Sequence, residues 1–370
     1  MQRNQRHLAA LIVWLGGSEA LASRAGFRGL SWGGGQLAGA GLALLAAQAG
    51  RPGPKTLLTS LPLALLVHLT VAQLRQRHLD PKRQLQPGSY PDRQIVRLGL
   101  PGQAGPIPAL HIVPQGGSKA VVCVAHGSGC DKTFYAWRLV DQLVTQGFAV
   151  LLVDLDGHGE SPRPQAFPTI STSLGDALHW LRSRYGYVAM LGVSLGGAVA
   201  THAIAKGAPC DALILWATPP QLRLNAQDYR RVQRTEAVRL VRWPLLHLFR
   251  DGSPYHIARA WQTSGIRANI GTWDLFDALD LLGSLRQLAA QPQRLPLLLV
   301  YAGRDAVLPP GSAATVQAAT QAWADFHSIA GASHVSLPIE PATIHLTVAW
   351  LLRQLNAASF GAATASVPQP

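Results

Sequence analysis

From residue 120 onward the chain repeats one pattern, a short apolar run followed by a longer stretch of helical character. The runs are Ala120 to Ala125, Ala149 to Asp154, Val188 to Leu191, Ala212 to Trp216 and Leu297 to Tyr301. Runs this short that do not alternate polar and apolar residues read as strands buried on both faces, and the helical stretches between them supply the covers. Consecutive parallel strands need such crossovers, so the pattern predicts an α/β fold with a mostly parallel central sheet and helices on both faces. Two earlier strands are expected near Gln94 to Leu100 and Ala109 to Val113, entered through a Pro- and Gly-containing linker from Pro81 to Gln103. Phe326 to Ile329 reads as a last strand.

The first 75 residues obey a different rule. Apolar runs at Leu8 to Gly17, Gly29 to Ala49 and Thr56 to Leu74 are separated by short loops holding Arg or Lys. At about 1.5 Å per residue the second and third are long enough for a hydrocarbon core of roughly 30 Å, so two or three N-terminal transmembrane helices are expected. Gly35 and Gly39 form a GxxxG spacing that lets helices approach closely. The first run, with Arg3 and Arg6 before it and Ala20-Leu21-Ala22 after it, also fits a cleaved secretory signal. A hydrophobic helical hairpin packed on the downstream domain is a further reading. Counting basic residues, Arg24, Arg28, Arg75, Arg77, Lys82 and Arg83 fall on one side against Arg51 and Lys55 on the other, which places the downstream domain on the cytoplasmic side of a membrane.

The net charge of +13 invites a nucleic-acid reading, but the arginines crowd the first 85 residues and the stretch 223 to 259, and no nucleic-acid-binding fingerprint occurs. The expected partners are a membrane and a small-molecule or lipid acyl substrate, with no nucleic acid. Cys123, Cys130 and Cys210 have no CxxC spacing, and neither a metal-ligand ladder nor a phosphate loop is present, so no metal and no cofactor is expected.

The chemistry concentrates at Gly192-Val193-Ser194-Leu195-Gly196, which follows one predicted strand and opens the apolar helical run Ala198 to Ala205. GxSxG in strand-turn-helix context lifts a serine hydroxyl clear of the backbone at the carboxyl end of a sheet. As a bare string it arises by chance about one time in ten in a chain of this length, so the context carries the argument. A serine needs a base within hydrogen-bond reach and a third group to hold that base. Asp305 lies on the loop beyond the strand Leu297 to Tyr301, and His334 lies on the loop after Phe326 to Ile329. The order Ser194, Asp305, His334 is the one imposed when active-site groups gather at the carboxyl ends of successive strands. His126-Gly127-Ser128-Gly129 follows the strand Ala120 to Ala125, and the N–H groups of Ser128 and Leu195 are the expected oxyanion-hole donors.

With these motifs in view, residues from about Ala120 to Leu355 resemble the α/β-hydrolase superfamily, nearest in style to its monoacylglycerol-lipase and serine-aminopeptidase-like members. His126-Gly127, the stretch Asp154 to Ser161, Gly192 to Gly197, Asp305 and His334 carry the likeness. It implies cofactor-free hydrolysis of esters, thioesters or amides, a structural role for the turn Asp154 to Ser161, and a lid, which Pro219 to Leu285 would supply. Val193 departs from the polar residue common there in relatives, and serine at the elbow disfavours the dehalogenase and epoxide-hydrolase branches.

The expected organisation is thus a hydrophobic membrane segment over 1–80, hydrolase core over 81–218 and 286–355, a helical cap over 219–285 and a disordered tail over 356–370. Within the cap, Tyr229 to Arg250 mixes six arginines with Trp243 and several leucines, a pattern that suits either a lipid interface or an ordinary lid. The expected activity is membrane-anchored hydrolysis of carboxylic esters through an acyl-enzyme. An acyltransferase with the same triad and a non-catalytic membrane binding protein on the same fold are the alternatives.

Overall fold

A computed structural model of the chain describes residues 3–25, 30–48, 54–78, 88, 90–133, 136–222, 266–321 and 323–365. They fall into two compact units, the N-terminal helices and the chain from the first strand on.

In the N-terminal unit, α1 (Arg3–Ala25), α2 (Leu30–Gln48) and α3 (Pro54–His78) pack on one another. Their shared interior is built from Trp14, Ala43 and Ala64. The GxxxG glycines sit at both contacts of α2. A Cβ on Gly35 would lie 2.5 Å from the Ala64 carbonyl oxygen of α3, and one on Gly39 would overlap the Trp14 indole of α1. Trp14 Nε1 donates to the Gln36 carbonyl at 3.1 Å, and Ser18 Oγ donates to Gln36 Oε1 at 2.9 Å.

The expectation of N-terminal transmembrane helices is corrected here: among the described residues no helix is long and apolar enough to cross a membrane. Length and freedom from charge are separate from hydropathy. In α2, Gly33, Gly34, Gly35, Gly39 and Gly41 bring no side chain to transfer and Gln36 and Gln48 resist transfer. In α3, Thr56, Thr59, Ser60, His68, Thr70 and Gln73 dilute the leucines, and α1 carries Arg3, Arg6, Glu19 and Arg24.

The second unit is built on one sheet, which among the described residues has eight strands: β1 (Arg93–Leu100), β2 (Ile107–Pro114), β3 (Ala120–Ala125), β4 (Ala149–Val153), β5 (Tyr187–Val193), β6 (Ala212–Trp216), β7 (Leu297–Ala302) and β8 (Ala324–Ile329). Their order is β1-β2-β4-β3-β5-β6-β7-β8. The hairpin β1–β2 joins β4 antiparallel, and every pairing from β4 to β8 is parallel. Strands β3 to β7 are buried along their whole length, which is why they read as unbroken apolar runs, whereas β8 alternates at the edge.

Helices α4 (Ala136–Thr145), α5 (Thr169–Arg182), α6 (Leu195–Ala205), α7 (Thr272–Leu279), α8 (Leu281–Ala289), α9 (Ser312–Thr320) and α10 (Pro341–Ala365) fill the connections. Residues of α5 to α8 bury against Val121, Cys123 and Ala125 of the sheet in one core, while α10 packs on α4. Trp216 Nε1 donates to Thr347 Oγ1 at 3.1 Å and pins the end of β6 to α10.

Two of the sequence expectations meet this unit differently. Of the cap range, residues 223–265 lie outside the described residues, the arginine-rich stretch Tyr229 to Arg250 among them. Leu275, Phe276 and Leu279 of α7, also inside that range, are buried in the main core. The expected tail begins inside α10, which continues through Asn356 to Ala365. Small residues suggested disorder, but the alanines among them are the strongest helix formers.

Candidate active site

Ser194 stands between the last residue of β5 and the first of α6 with φ 49° and ψ −113°. A serine at positive φ is held against its own preference, and the surroundings show what holds it. Its N–H donates to the Trp216 carbonyl of β6 at 2.8 Å, and its carbonyl accepts from Gly197 at 3.0 Å as the helix begins. Small residues after it are required by contact. A Cβ on Gly196 would strike the carbonyl oxygen of Ala125 and come 2.6 Å from that of His126, and one on Gly197 would strike Thr218. The first turn of α6 therefore lies directly on the backbone that leaves β3.

That backbone is the loop with the second expected donor. Ser128 is half-buried and Leu195 fully buried. Because the leading N–H groups of a helix lack intrahelical acceptors, the Leu195 N–H is available to an anion at the start of α6. His126 is buried, with Nδ1 donating to the Gly127 carbonyl at 2.8 Å and Nε2 accepting from the Leu155 N–H at 3.2 Å. Burial, its largest influence, keeps this imidazole below its usual pKa although Asp154 pulls the other way, which agrees with the neutral ring these bonds require.

Asp305 and His334 are brought together. His334 Nδ1 donates to Asp305 Oδ2 at 2.8 Å, while Asp305 Oδ1 accepts from the N–H groups of Val307 at 2.9 Å and Leu308 at 3.0 Å. Burial by itself would raise the Asp305 pKa. His334 and the two backbone donors outweigh it, and the carboxyl stays below its usual range. A depressed folded-state value means that Asp305 contributes stability above its unfolded pKa, and that this contribution is lost as pH falls through the folded value.

The geometry predicts the effect of Asp305→Asn. The Asn oxygen can keep the bonds to Val307 and Leu308, which turns its NH2 toward His334 Nδ1 and forces the ring proton onto Nε2. If His334 Nε2 is the base for Ser194, a ring already protonated there cannot serve, and kcat is expected to fall about 10⁴-fold with little change in KM, read by steady-state kinetics.

A sheet in the order above, a strained serine between β5 and the following helix, and an Asp–His pair on the loops after β7 and β8 define an α/β-hydrolase. Residues 116–342, more than half of the chain, match the family described as serine aminopeptidase, S33, and the chain belongs to that family. No curated protein sequence matches the chain. Among solved structures it is similar to DcsB in complex with its substrate analogue, at 16% identity over 72% of this chain and 98% of that one, with a TM-score of 0.52. A hypothetical protein from Pseudomonas aeruginosa is 16% identical over 71% of this chain and 93% of its own, with a TM-score of 0.51. An esterase from Exiguobacterium antarcticum is 16% identical over 69% and 98%, with a TM-score of 0.50. At such identity these likenesses are of fold.

One group of residues near the site escaped the sequence reading. Lys132, in the loop that carries Ser128, is buried and bound to Asp154 beyond β4. A lysine in a loop reads as a solvated charge, and only the fold brings its partner from 22 residues away.

Proposed function

We propose that the protein hydrolyses carboxylic acyl esters through an acyl-enzyme on Ser194. The observation that supports it best is the Asp305–His334 hydrogen bond at 2.8 Å on the same sheet margin as the strained Ser194. Ser194 Oγ attacks the ester carbonyl as His334 Nε2 takes its proton, and Asp305 keeps Nδ1–H in place and balances the imidazolium. The oxyanion meets the N–H groups of Ser128 and Leu195. As the intermediate collapses, the C–O bond to the leaving alcohol breaks and His334 returns the proton to it. Water, deprotonated by the same ring, then attacks the acyl carbonyl and releases the carboxylic acid and free Ser194. The neighbour from Exiguobacterium antarcticum bears the name esterase, which agrees with an ester as substrate, while the family's description as an aminopeptidase makes amides the natural comparison.

Two measurements test the reading. A fluorophosphonate should label the full-length protein at one site per chain, with peptide mass analysis placing the adduct on Ser194. Acyl esters of graded length should then turn over faster than the matching amides. Absence of labelling in folded protein would defeat the nucleophile assignment, and faster amide cleavage would defeat the ester.

A further inference from the structure

We infer that Lys132 and Asp154 are positioning residues that set the oxyanion hole, by clamping the loop that carries Ser128. The inference rests on the proposed role of the Ser128 N–H.

The loop leaves β3 at His126, and two of its ties, at His126 and at Lys132, run to consecutive residues just after β4. At its entry His126 Nε2 accepts from the Leu155 N–H at 3.2 Å. Six residues later, Lys132 N–H donates to Asp154 Oδ1 at 2.8 Å, and Lys132 Nζ donates to Asp154 Oδ2 at 2.5 Å. Lys132 therefore gives its backbone and its side chain to one carboxylate, which fixes its orientation as well as its position. Asp154 Oδ2 also accepts from the Glu160 N–H at 2.8 Å, and Glu160 Oε2 takes a second Nζ bond at 2.9 Å. β3 and β4 are parallel neighbours, with Ala125 opposite Val153, so the clamp closes the gap between the two strand ends.

Burial makes stability a poor explanation for the pair. The side chain of Asp154 is 0% exposed and that of Lys132 is 4% exposed. A buried ion pair commonly contributes no more than apolar residues of the same volume, because desolvation offsets the attraction. What an ion pair with two short bonds does supply is a fixed register. Oxyanion donors act through preorganisation, and a loop released at Lys132 would let the Ser128 N–H drift from the position the charge will occupy.

The test uses the full-length protein, a short-chain p-nitrophenyl ester and rates divided by the concentration of titrated active sites. Lys132→Met is expected to lower kcat about 10- to 100-fold with KM within about threefold, since the hole acts on the transition state. Affinity for a trifluoromethyl ketone, whose adduct with Ser194 places an oxyanion in the hole, should weaken by the same factor. Lys132→Gln keeps a donor and should recover part of the loss. It also carries the test if Lys132→Met does not fold. Arg97 Nη1 pairs with Glu160 Oε1 at 2.6 Å on the surface, and Arg97→Gln, which removes only that exposed pair, serves as the control. A merely structural role would lower the melting temperature and the number of active sites while leaving kcat per site unchanged, and that result overturns the inference. Ser194→Ala assayed alongside separates the two ideas. If it is inactive while both Lys132 variants keep wild-type kcat per site, only the clamp is refuted. If it is active, the hydrolase mechanism itself is refuted.

Discussion

Ser194→Ala is expected to lower kcat/KM for any acyl ester by at least about 10⁴-fold, and His334→Ala by a comparable factor, because in the proposed mechanism the two act with Asp305 as one unit and the residue left behind has little to do alone. Neither change should unfold the protein. Alanine at 194 keeps the N–H bond to the Trp216 carbonyl and removes only the hydroxyl, and His334 sits on a loop with a partly exposed ring. Steady-state kinetics with a thermal melt check both statements. The double variant should be no worse than the poorer single one. Additive losses would mean that serine and histidine serve separate steps, against the mechanism proposed above.

Gly196→Ala is expected to be nearly as damaging from a position that bears no reactive atom. Its Cβ would meet two carbonyl oxygens, those of Ala125 and His126, and backbone cannot rotate aside as a side chain can. The added methyl must push the start of α6 away from the loop after β3, at about 1–3 kcal/mol of stability. That displacement widens the gap between Leu195 and Ser128, and losing one oxyanion donor is typically worth about 10²- to 10³-fold in kcat. Gly33→Ala is the comparison, since its Cβ would meet nothing within 4 Å, and it should keep wild-type activity. A fully active Gly196→Ala enzyme would show that the two donors are not held together by this contact.

How much of this was legible beforehand depended on whether the deciding physics was local. Ala120 to Ala125 and Ala212 to Trp216 could be read to the residue, since a strand covered on both faces must be apolar along its length. Asp305 and His334 could be found because chain order and strand ends restrict where a triad can lie, and the structure joins them. The N-terminal helices depart from the transmembrane expectation because a lack of charge is not hydropathy: glycines in α2 and hydroxyl and amide side chains in α3 stand among the apolar residues, and no helix among the described residues is long and apolar enough to cross a membrane. The GxxxG spacing did signal close helix approach, here among α1, α2 and α3. Lys132 could not be read at all, since its burial is set by Asp154, a residue just after a different strand.

The parts of the site differ in how deeply they are anchored. Ser194 rises from β5 in the middle of the sheet, with a paired strand on either side, whereas His334 lies on the loop after β8, the last strand in the order, paired on one side and exposed at Asp325, His327 and Ser328. Edges fray before centres, since their opening exposes less apolar surface. Mild heat or denaturant would then detach the base while the nucleophile keeps its strained geometry, so that the enzyme falls silent reversibly, well short of global unfolding. Loss of activity below the global melting temperature would show that catalytic competence follows the local stability of one edge strand rather than that of the core.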